Sequence, residues 1–529
     1  MKFSKILGLT GAFAAVALSF SSCKKDWLDV KPTDQITDED AFSTVQGARA
    51  VLNGIHRTMF ESTDHNTFGM SAIGLMYDLM GDDMGINGQG SGWFVTAGRY
   101  NDARGPQSTG SYQWSFYYRI INNANWIISQ INDVPGSQEE KDEIKGQALA
   151  YRAWAYYQLV SCYNFNYKND KFVVAQDGQR TGVIDNATPR TALGVPLYTA
   201  PSKEASPRAT LEENYVQMRA DIKEAMRLLE NTTITYVSDK SQITYEAAAG
   251  IAARIALAEQ DWTTAANMAK IARQKASLAS GASLLDGFGK SSNIEWIWGS
   301  IINNEQNGIY ASFLSHMDFN LNAYGNRAQK LFSRNLVNGS RDSATNYMYG
   351  VKATDTRSKW YVAWGSTTPG VPQKSGQARG LQQKIYAPTA GSFAGDYPLM
   401  RVAEMYLTEA EALAQQGNIA EATTLLQEYM VTRDPAYVVR GTSKDALVHE
   451  IWNQRRVELW GEGFRYHDLK RQMAKFSGVT PMASMDKTGA GFNTIGFSGA
   501  TTIEANDARM NFRIPGGEIN YNPACQQNP

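Results

Sequence analysis

Helical periodicity is the feature of this sequence that most restricts its fold. Apolar or small residues recur at three- and four-residue steps in several segments, a spacing that places them on one face of an α-helix. Residues 138–162 show this spacing at Ile144, Ala148, Tyr151, Ala155 and Leu159. Helices are also predicted over residues 40–60, 113–131 and 211–229. The pattern therefore predicts a mainly α-helical protein.

Two later segments look like versions of one unit. Residues 247–272 and 402–430 each contain a helix, a tight break and a second helix. Small alanines at the facing positions let antiparallel helices pack closely, as in tetratricopeptide hairpins. A generic helical hairpin is the alternative interpretation. Because a long stretch of other sequence separates the two units, a plain solenoid is not predicted.

Between about residues 293 and 394 the sequence becomes rich in Gly, Asn, Ser and Tyr and loses its periodicity. A stretch of this length without regular structure is usually functional when it lies inside a compact domain. We predict a loop-rich lobe here, with a short strand at 295–298, and a second loop-rich section over 477–507. The helical scaffold is predicted over 38–290 and 397–475, with a long loop at 163–210.

The N-terminus resembles a bacterial lipoprotein signal. Lys2 and Lys5 precede an apolar run over residues 6–20, which is too short to span a bilayer comfortably. The run leads into Ser-Ser-Cys at 21–23, which resembles a lipobox, so residues 1–22 would be removed and Cys23 lipidated. An ordinary signal with an incidental cysteine is the alternative.

The remaining composition excludes some classes of protein. The chain has 51 Lys and Arg residues and 52 Asp and Glu residues, so it lacks the overall positive charge that is typical of nucleic-acid-binding proteins. Apolar residues at 43% exclude a disordered chain. Besides Cys23 only Cys162 and Cys525 remain, too few for a disulfide framework, and we predict two isolated thiols.

No enzyme signature stands out. The five histidines show no zinc-ligand spacing, and neither a nucleophile elbow nor a phosphate-binding loop is present. A glycosidase needs only two carboxylates, however, and spacing cannot exclude such a pair among 52 acidic residues. The sequence therefore carries no recognisable enzyme motif, but its spacing leaves a hydrolase open.

Six motifs follow one another along the mature chain. They include GQALAYRAWAYYQLV, YPLMRVAEMYL and RRVELWGEGFRYHDLKR, and together they lie at 23–42, 146–160, 194–210, 397–418, 455–471 and 513–529. In this order they resemble the SusD/RagB family of outer-membrane nutrient-binding lipoproteins. Two departures are Gln454, where the family usually has Glu, and residues 164–193, which look like an insertion.

The resemblance implies both a fold and a function. The fold would be a single SusD-like domain over 23–529, with tetratricopeptide-like hairpins forming a right-handed scaffold beside the loop-rich lobe. The protein would be lipid-anchored in the outer membrane and face the cell exterior. It would bind an oligosaccharide or polysaccharide and deliver it to a SusC-like TonB-dependent transporter, with no catalysis and no cofactor. The alternatives are a surface glycan hydrolase and a binder of peptides or another non-sugar nutrient.

The matching motifs themselves are predicted to be architectural. The charged residues of 455–471 stand at helix spacing, which favours ion pairs that lock the helix to its following turn. The aromatic residues of the 146–160 motif are predicted to pack between helices. These are Tyr151, Trp154, Tyr156 and Tyr157.

Ligand-binding candidates are instead sought on loops, where a rigid scaffold can present them. Aromatic rings stack on the apolar face of a sugar, and Asp, Asn or Arg side chains bond its hydroxyls. The candidates are Asp64, Asn66, Asp82, Asp83, Asn87 and Trp93, and in the lobe Tyr324, Trp360, Arg379 and Tyr386. Asp82 and Asp83 are also candidate Ca²⁺ ligands, although the regular spacing of an EF-hand is missing. For each candidate the alternative is an ordinary packed or surface residue.

Overall fold

The computed structural model consists mainly of α-helices with short antiparallel strands, which confirms the predicted fold class. It describes residues 41–87, 92–94, 97, 109–167, 171–176, 179–185, 192–233, 239–302, 310–333, 336–337, 340–341, 348–362, 380–473 and 510–528. Cys23, Arg379 and the predicted loop section 477–507 lie outside these residues. No helix within them combines the length and the apolar character needed to cross a membrane.

The helices are α1 (Val45–Thr58), α2 (Met70–Met80), α3 (Thr109–Gln130), α4 (Gln138–Tyr163), α5 (Leu211–Leu229), α6 (Tyr245–Glu259), α7 (Trp262–Arg273), α8 (Phe313–Met317), α9 (Tyr324–Arg327), α10 (Val402–Gln416), α11 (Ile419–Val431), α12 (Lys444–Glu458), α13 (Arg465–Met473) and α14 (Gly516–Tyr521). The strands are β1 (Ser62–Asp64), β2 (Thr67–Phe68), β3 (Met84–Asn87), β4 (Lys171–Gln176), β5 (Gln179–Asp185), β6 (Leu193–Pro196), β7 (Arg208–Thr210), β8 (Trp296–Ser300), β9 (Gln329–Phe332), β10 (Ser340–Arg341), β11 (Met348–Tyr349) and β12 (Tyr397–Arg401). The strands pair two by two: β1 with β2, β3 with β9, β4 with β5, β6 with β7, β8 with β12 and β10 with β11.

Local sequence signals set the ends of the longer helices. Ser137 and Thr210 each begin a helix with a capping box, in which the Glu three residues later bonds back to the cap. Helix α10 ends at Gly417, whose φ of 91° suits a residue without a Cβ atom. Helix α1 begins at Val45, later than predicted, because Thr44 caps it: the Thr44 side chain accepts a hydrogen bond from the Gly47 N–H.

The helices pack side by side in nearly the order of the chain. Helix α3 packs against both α1 and α4, and α4 packs against α5, which in turn contacts α6. The two similar units form the hairpins α6–α7 and α10–α11, and α7 packs directly against α10. The buried alanines 265, 410 and 422 belong to one shared apolar cluster. The stack of helices is therefore continuous in space although the lobe interrupts it in sequence.

The lobe leaves and rejoins the scaffold through one pair of strands. The strand predicted at 295–298 is confirmed as β8, and it pairs antiparallel with β12, where Trp296 lies opposite Arg401 and Ser300 opposite Tyr397. Both strands are buried along their whole length. The short strands predicted for the lobe are present in its described part, which also contains the short helices α8 and α9 that the sequence did not predict.

Residues 163–210 differ from the predicted long loop. The stretch 164–193, which looks like an insertion in the sequence, contains the antiparallel hairpin β4–β5, and β6 pairs with β7 just beyond it. The strand segments are rich in β-branched and aromatic residues, which favour extended structure. The prolines that suggested a loop lie outside the hairpin, and Pro196 stands at the end of β6, where its missing N–H is tolerated.

Candidate ligand-binding surface

A row of aromatic rings lies where the β1–β2 hairpin meets the lobe. We call Trp93, His65, Tyr324, Tyr310 and Phe393 the aromatic row. The His65 ring stacks on Trp93, with centroids 5.2 Å apart and planes 20° apart. The further centroid distances are 5.7 Å from His65 to Tyr324, 5.0 Å from Tyr324 to Tyr310 and 4.8 Å from Tyr310 to Phe393. The row therefore joins three parts of the chain that are far apart in sequence.

The rings of the row remain partly accessible. Tyr310 is the most open, with 40% of its surface exposed. The other four are partly buried. Contiguous apolar surface that stays accessible is typical of interaction sites, so the row is a candidate ligand-binding surface.

Buried rings hold the row in place from beneath. The His316 ring stacks on both Phe68 and Tyr324, at 5.4 and 4.5 Å, and its Nε2–H donates to the His65 carbonyl at 2.9 Å. Burial lowers the pKa of His316 to about 3, so the ring is neutral at physiological pH. The positions of His65 and Tyr324 are thus fixed by the core rather than by solvent-exposed contacts.

The backbone around Trp93 separates it from its neighbour Phe94. Gly92 and Phe94 have φ angles of 87° and 63°, so the chain turns sharply on both sides of Trp93. A left-handed conformation is rare for a bulky residue such as Phe94 and has an energetic cost. Phe94 is buried against Phe68 and His316, while Trp93 stays partly exposed. The turn therefore presents the Trp93 ring at the surface, as the glycine-rich sequence predicted.

Polar groups accompany the rings. The Asp64 side chain is exposed and its Oδ1 accepts the backbone N–H of His65 at 2.6 Å. The Tyr324 hydroxyl lies 2.5 Å from His65 Nδ1, and the Tyr310 hydroxyl donates to the Asn322 carbonyl at 3.1 Å. Carboxylate, hydroxyl and amide groups beside accessible rings are what recognition of a sugar requires.

The structure brings four of the predicted site residues to this surface: Asp64, Asn66, Trp93 and Tyr324. Asn66 lies in the turn between β1 and β2 beside His65. Tyr310 and Phe393 were not predicted, because nothing in the loop sequence around them distinguishes a surface ring from a packed one. Only their contacts in the fold identify them.

Asp82 and Asp83 are placed in the interior instead, so the structure does not support them as surface ligands. Arg465 Nε lies 2.5 Å from Asp82 Oδ1 and 2.9 Å from Asp83 Oδ2, and Arg456 Nη2 lies 2.6 Å from Asp83 Oδ1. Both carboxylates are buried in these ion pairs. The described residues contain no cluster of three or more His, Cys, Asp or Glu side chains that could hold a metal ion. Sequence reasoning could not see this pairing, because the arginines lie more than 370 residues away.

Trp360 and Tyr386 also lie away from the aromatic row. Trp360 is fully buried and its Nε1–H donates to the Leu284 carbonyl at 2.9 Å, so it cannot touch a surface ligand. Tyr386 is partly buried, and its hydroxyl donates to the carbonyl of Leu285, the residue that follows Leu284 in the chain. Both residues anchor the same short segment, and both therefore have a structural role. Asn87 is placed in β3 opposite Gln329 of β9.

The charged motif at 455–471 forms buried ion pairs, as predicted. Glu458 accepts hydrogen bonds from Arg401, Arg433 and Arg357, at 3.1, 3.0 and 3.4 Å. Although burial alone would raise the pKa of Glu458, Arg433 and Arg401 hold it well below its ordinary value. Besides the turn after α12, these ion pairs involve Arg401 in β12 and Arg433 just after α11. They therefore connect more elements of the fold than the sequence predicted. The aromatic residues of the 146–160 motif are buried in the core, which confirms their packing role.

Known proteins with similar sequences and structures agree with this architecture. A family described as starch-binding and associating with the outer membrane matches residues 26–257, and the SusD family matches residues 305–529. A SusD-like protein of Formosa agariphila is 40% identical over 81 residues, a match that spans 14% of this chain and only about a sixth of that relative's length.

Solved structures resemble the fold over most of the chain. A SusD-like carbohydrate binding protein from Bacteroides vulgatus has a TM-score of 0.74 and 25% identity, covering 92% of this chain and 98% of the other. A putative sugar binding protein from the same organism has a TM-score of 0.70 and 22% identity, with 92% and 99% coverage. A SusD superfamily protein from Bacteroides thetaiotaomicron has a TM-score of 0.68 and 22% identity, with 92% and 100% coverage.

Proposed function

Because this chain belongs to the SusD/RagB family, we propose that it is a surface lipoprotein that captures a glycan and passes it to a TonB-dependent transporter. The matching family is described as starch-binding and associated with the outer membrane. The proposal for this chain adds the ligand surface, the lipid anchor at Cys23 and the transporter as partner. Capture and transfer need binding energy but no bond-making step.

The aromatic row carries the proposal for the ligand. Its five rings come from the β1–β2 hairpin, the turn at Trp93 and the lobe, and they form one partly accessible line. A line of rings suits an extended chain of sugar units, since each ring offers an apolar surface for stacking. The exposed Asp64 carboxylate beside the row can accept sugar hydroxyls.

A glycan fits this surface better than a peptide does. One common way for a protein to bind an extended peptide is to take it up as an additional strand at an exposed sheet edge. The β1–β2 hairpin next to the row is only two to three residues long per strand and offers little such edge. Peptide binding remains the second candidate function, and the experiment below includes it.

Native affinity electrophoresis tests the proposal directly. The purified protein is run through gels that contain amylopectin, xylan, laminarin or β-mannan, and its affinity for casein-derived peptides is measured in parallel by calorimetry. We expect at least one glycan to retard the protein and the peptides to give no heat of binding. Binding of peptides alone would replace the glycan proposal by the peptide function.

Variants then locate the binding surface. Tyr310→Ala removes the most exposed ring of the row and should weaken retardation by the glycan. Tyr245→Ala is the matched control, because Tyr245 is a partly exposed tyrosine at the start of α6, outside the row. Equal retardation of both variants and the parent protein would show that the row is not the binding surface.

The hydrolase alternative has its own readout. Incubation with the retarding glycan should release no new reducing ends, because the proposed function contains no chemical step. Reproducible turnover that disappears when one pair of carboxylates is replaced would establish the hydrolase function instead.

A further inference from the structure

A second concave site lies on the helical scaffold. A cavity of about 340 Å³ opens between α3, the segment after β6 and α14. Pockets that hold small molecules usually measure about 300–1,000 Å³. Two cavities beside the buried ion pairs measure only about 10 and 40 Å³, room for a few water molecules at most. The larger cavity is therefore of the size that a small ligand needs.

Three aromatic side chains form the walls of this cavity. Trp114 and Tyr118 lie one turn apart on α3, with ring centroids 4.8 Å apart, and Tyr198 meets Tyr118 at 6.0 Å. The Tyr118 hydroxyl donates to the Pro196 carbonyl at 2.8 Å, and the Tyr198 hydroxyl accepts the Ser206 N–H at 3.1 Å. Both tyrosine hydroxyls therefore form hydrogen bonds within the protein, and these bonds hold the two rings in place.

The segment that carries Tyr198 is held by a buried side chain. Asn125 Nδ2 donates to the carbonyls of Tyr198 and Ala200, at 3.0 and 3.2 Å. Its Oδ1 accepts from Arg152, whose guanidinium also pairs with Asp221 in the core. The cavity wall is consequently preformed, which reduces the entropy that a ligand would lose on ordering it.

The polar groups of the cavity define the chemistry of its ligand. Glu518 is partly buried, and its carboxylate accepts from Trp114 Nε1 at 3.4 Å and from Asn522 Nδ2 at 2.8 Å. A carboxylate has about four acceptor positions, so capacity remains for a ligand. Ser115, Asn122 and Ser202 add exposed hydroxyl and amide groups. None of the residues that line the cavity is Lys, Arg or His, which disfavours an anionic ligand.

We propose that this cavity is a second saccharide subsite, which holds a single sugar ring or the end of a short oligosaccharide. Aromatic walls, one acceptor carboxylate and several neutral hydrogen-bonding groups match a ligand that has an apolar face and many hydroxyls. A compact cation would use Glu518 alone and leave the other polar groups without a role. The cavity shares no residue with the aromatic row, and it depends on the proposed function only in that saccharides must reach the protein.

Saturation-transfer NMR and calorimetry on the full chain in detergent test this subsite. The probes are maltotriose, xylotriose, laminaritriose and mannotriose. Ser115→Trp fills the cavity from an exposed helix position, and Ser129→Trp is the matched control, an exposed serine on the same helix about 21 Å further along its axis. Glu518→Gln keeps the shape and removes the charge, so it serves as a second variant if Ser115→Trp folds poorly.

The expected results separate the two sites. Ser115→Trp should raise the Kd of the best trisaccharide about tenfold, whereas the control Ser129→Trp should leave this Kd within about twofold. Trisaccharide binding that Ser115→Trp and Glu518→Gln leave intact, or no binding of any probe, would overturn the subsite. Loss of binding in the cavity variants without any effect of Trp93→Ala or Tyr310→Ala on polysaccharides would keep the subsite and reject the aromatic row.

Discussion

Trp93 and Phe94 are neighbours in the chain but serve different purposes. Phe94 is buried in the core, so Phe94→Ala should reduce the free energy of unfolding by about 3–5 kcal/mol through lost burial and a cavity. Trp93 is only partly buried and stacks on His65, so Trp93→Ala should change the melting temperature little. It should weaken glycan binding by about 1–3 kcal/mol, by analogy with stacked bases.

Differential scanning calorimetry and binding calorimetry on both variants decide between these roles. A large drop in the melting temperature of Trp93→Ala, together with unchanged glycan affinity, would place Trp93 among the structural residues. The aromatic row would then begin at His65.

Two buried lysines, Lys330 and Lys470, are expected to affect stability in opposite directions. Burial lowers the pKa values of Lys330 and Lys470 to about 7. In the described part of the chain, the Lys330 ammonium has one acceptor, the Ala328 carbonyl at 2.8 Å. Lys470 has four, including the carbonyls of Ser161 and Asn164 at 2.6 and 2.8 Å.

Lys330→Met should therefore stabilise the protein, and Lys470→Met should destabilise it. Burying an ammonium group without an opposite charge costs free energy that an apolar side chain of similar volume does not, and replacing even a buried ion pair by apolar residues can raise the free energy of unfolding by about 1–4 kcal/mol. Removing Lys470 leaves buried acceptors unsatisfied, at a cost of about 1–3 kcal/mol for each one. Urea unfolding of both variants at pH 7 measures these changes, and a destabilised Lys330→Met would contradict the prediction.

The effect of Lys330 should also depend on pH. The unfolded chain keeps the proton on this lysine up to about pH 10.4, whereas the folded protein releases it near pH 7. Between these values the unfolded state binds more protons, so the stability cost of Lys330 falls as the pH rises. The gain from Lys330→Met should be largest at pH 7 or below and should shrink towards pH 10.

At the scale of secondary-structure elements, Glu458 at the end of α12 connects three arginines from other segments. Glu458→Gln would remove the negative charge that compensates Arg401, Arg433 and Arg357, all of them fully buried. Loss of one partner from a buried ion pair typically costs about 3–5 kcal/mol. Glu421→Gln on the exposed side of α11 is the matched control and should be nearly neutral. Equal stability of the two variants in urea would show that the network contributes little.

The sequence predicted individual helices well because their signals are local. Helix α5 begins and ends at the predicted residues, and α4 extends only one residue further than predicted, since capping boxes at Thr210 and Ser137 mark their first turns. The hairpin β4–β5 was missed because nearby prolines suggested a loop. Strand pairing over a two-residue turn depends on contacts that helical periodicity does not reveal.

At the scale of the whole molecule, the proposed binding surface was only partly predictable from the sequence. Asp64 and Trp93 were found because polar and glycine-rich loops suit exposed ligand groups. Tyr310 and Phe393 were missed because their rings meet across 83 residues of sequence, and the row reaches His65 only through a contact with Tyr324 that spans 259 residues; no local spacing predicts such contacts. Asp82 and Asp83 looked equally suitable in sequence, but arginines from α12 and α13 neutralise them in the interior.

The proposed position of the whole protein at the membrane depends on Cys23. Each buried CH₂ group of an acyl chain contributes about 0.8 kcal/mol, and one chain alone holds a protein only weakly, so durable attachment needs more than one chain on this residue. Cys23→Ala removes the acceptor sulfur and should abolish lipid labelling and move the protein from the membrane to the soluble fraction. Radiolabelled palmitate and fractionation of the producing cells measure both effects. Cys525→Ala is the matched control, because it removes a buried free thiol and should leave labelling and location unchanged. Labelling that persists in Cys23→Ala would show that Ser-Ser-Cys is not a lipobox, and the protein would then need another route to the outer membrane.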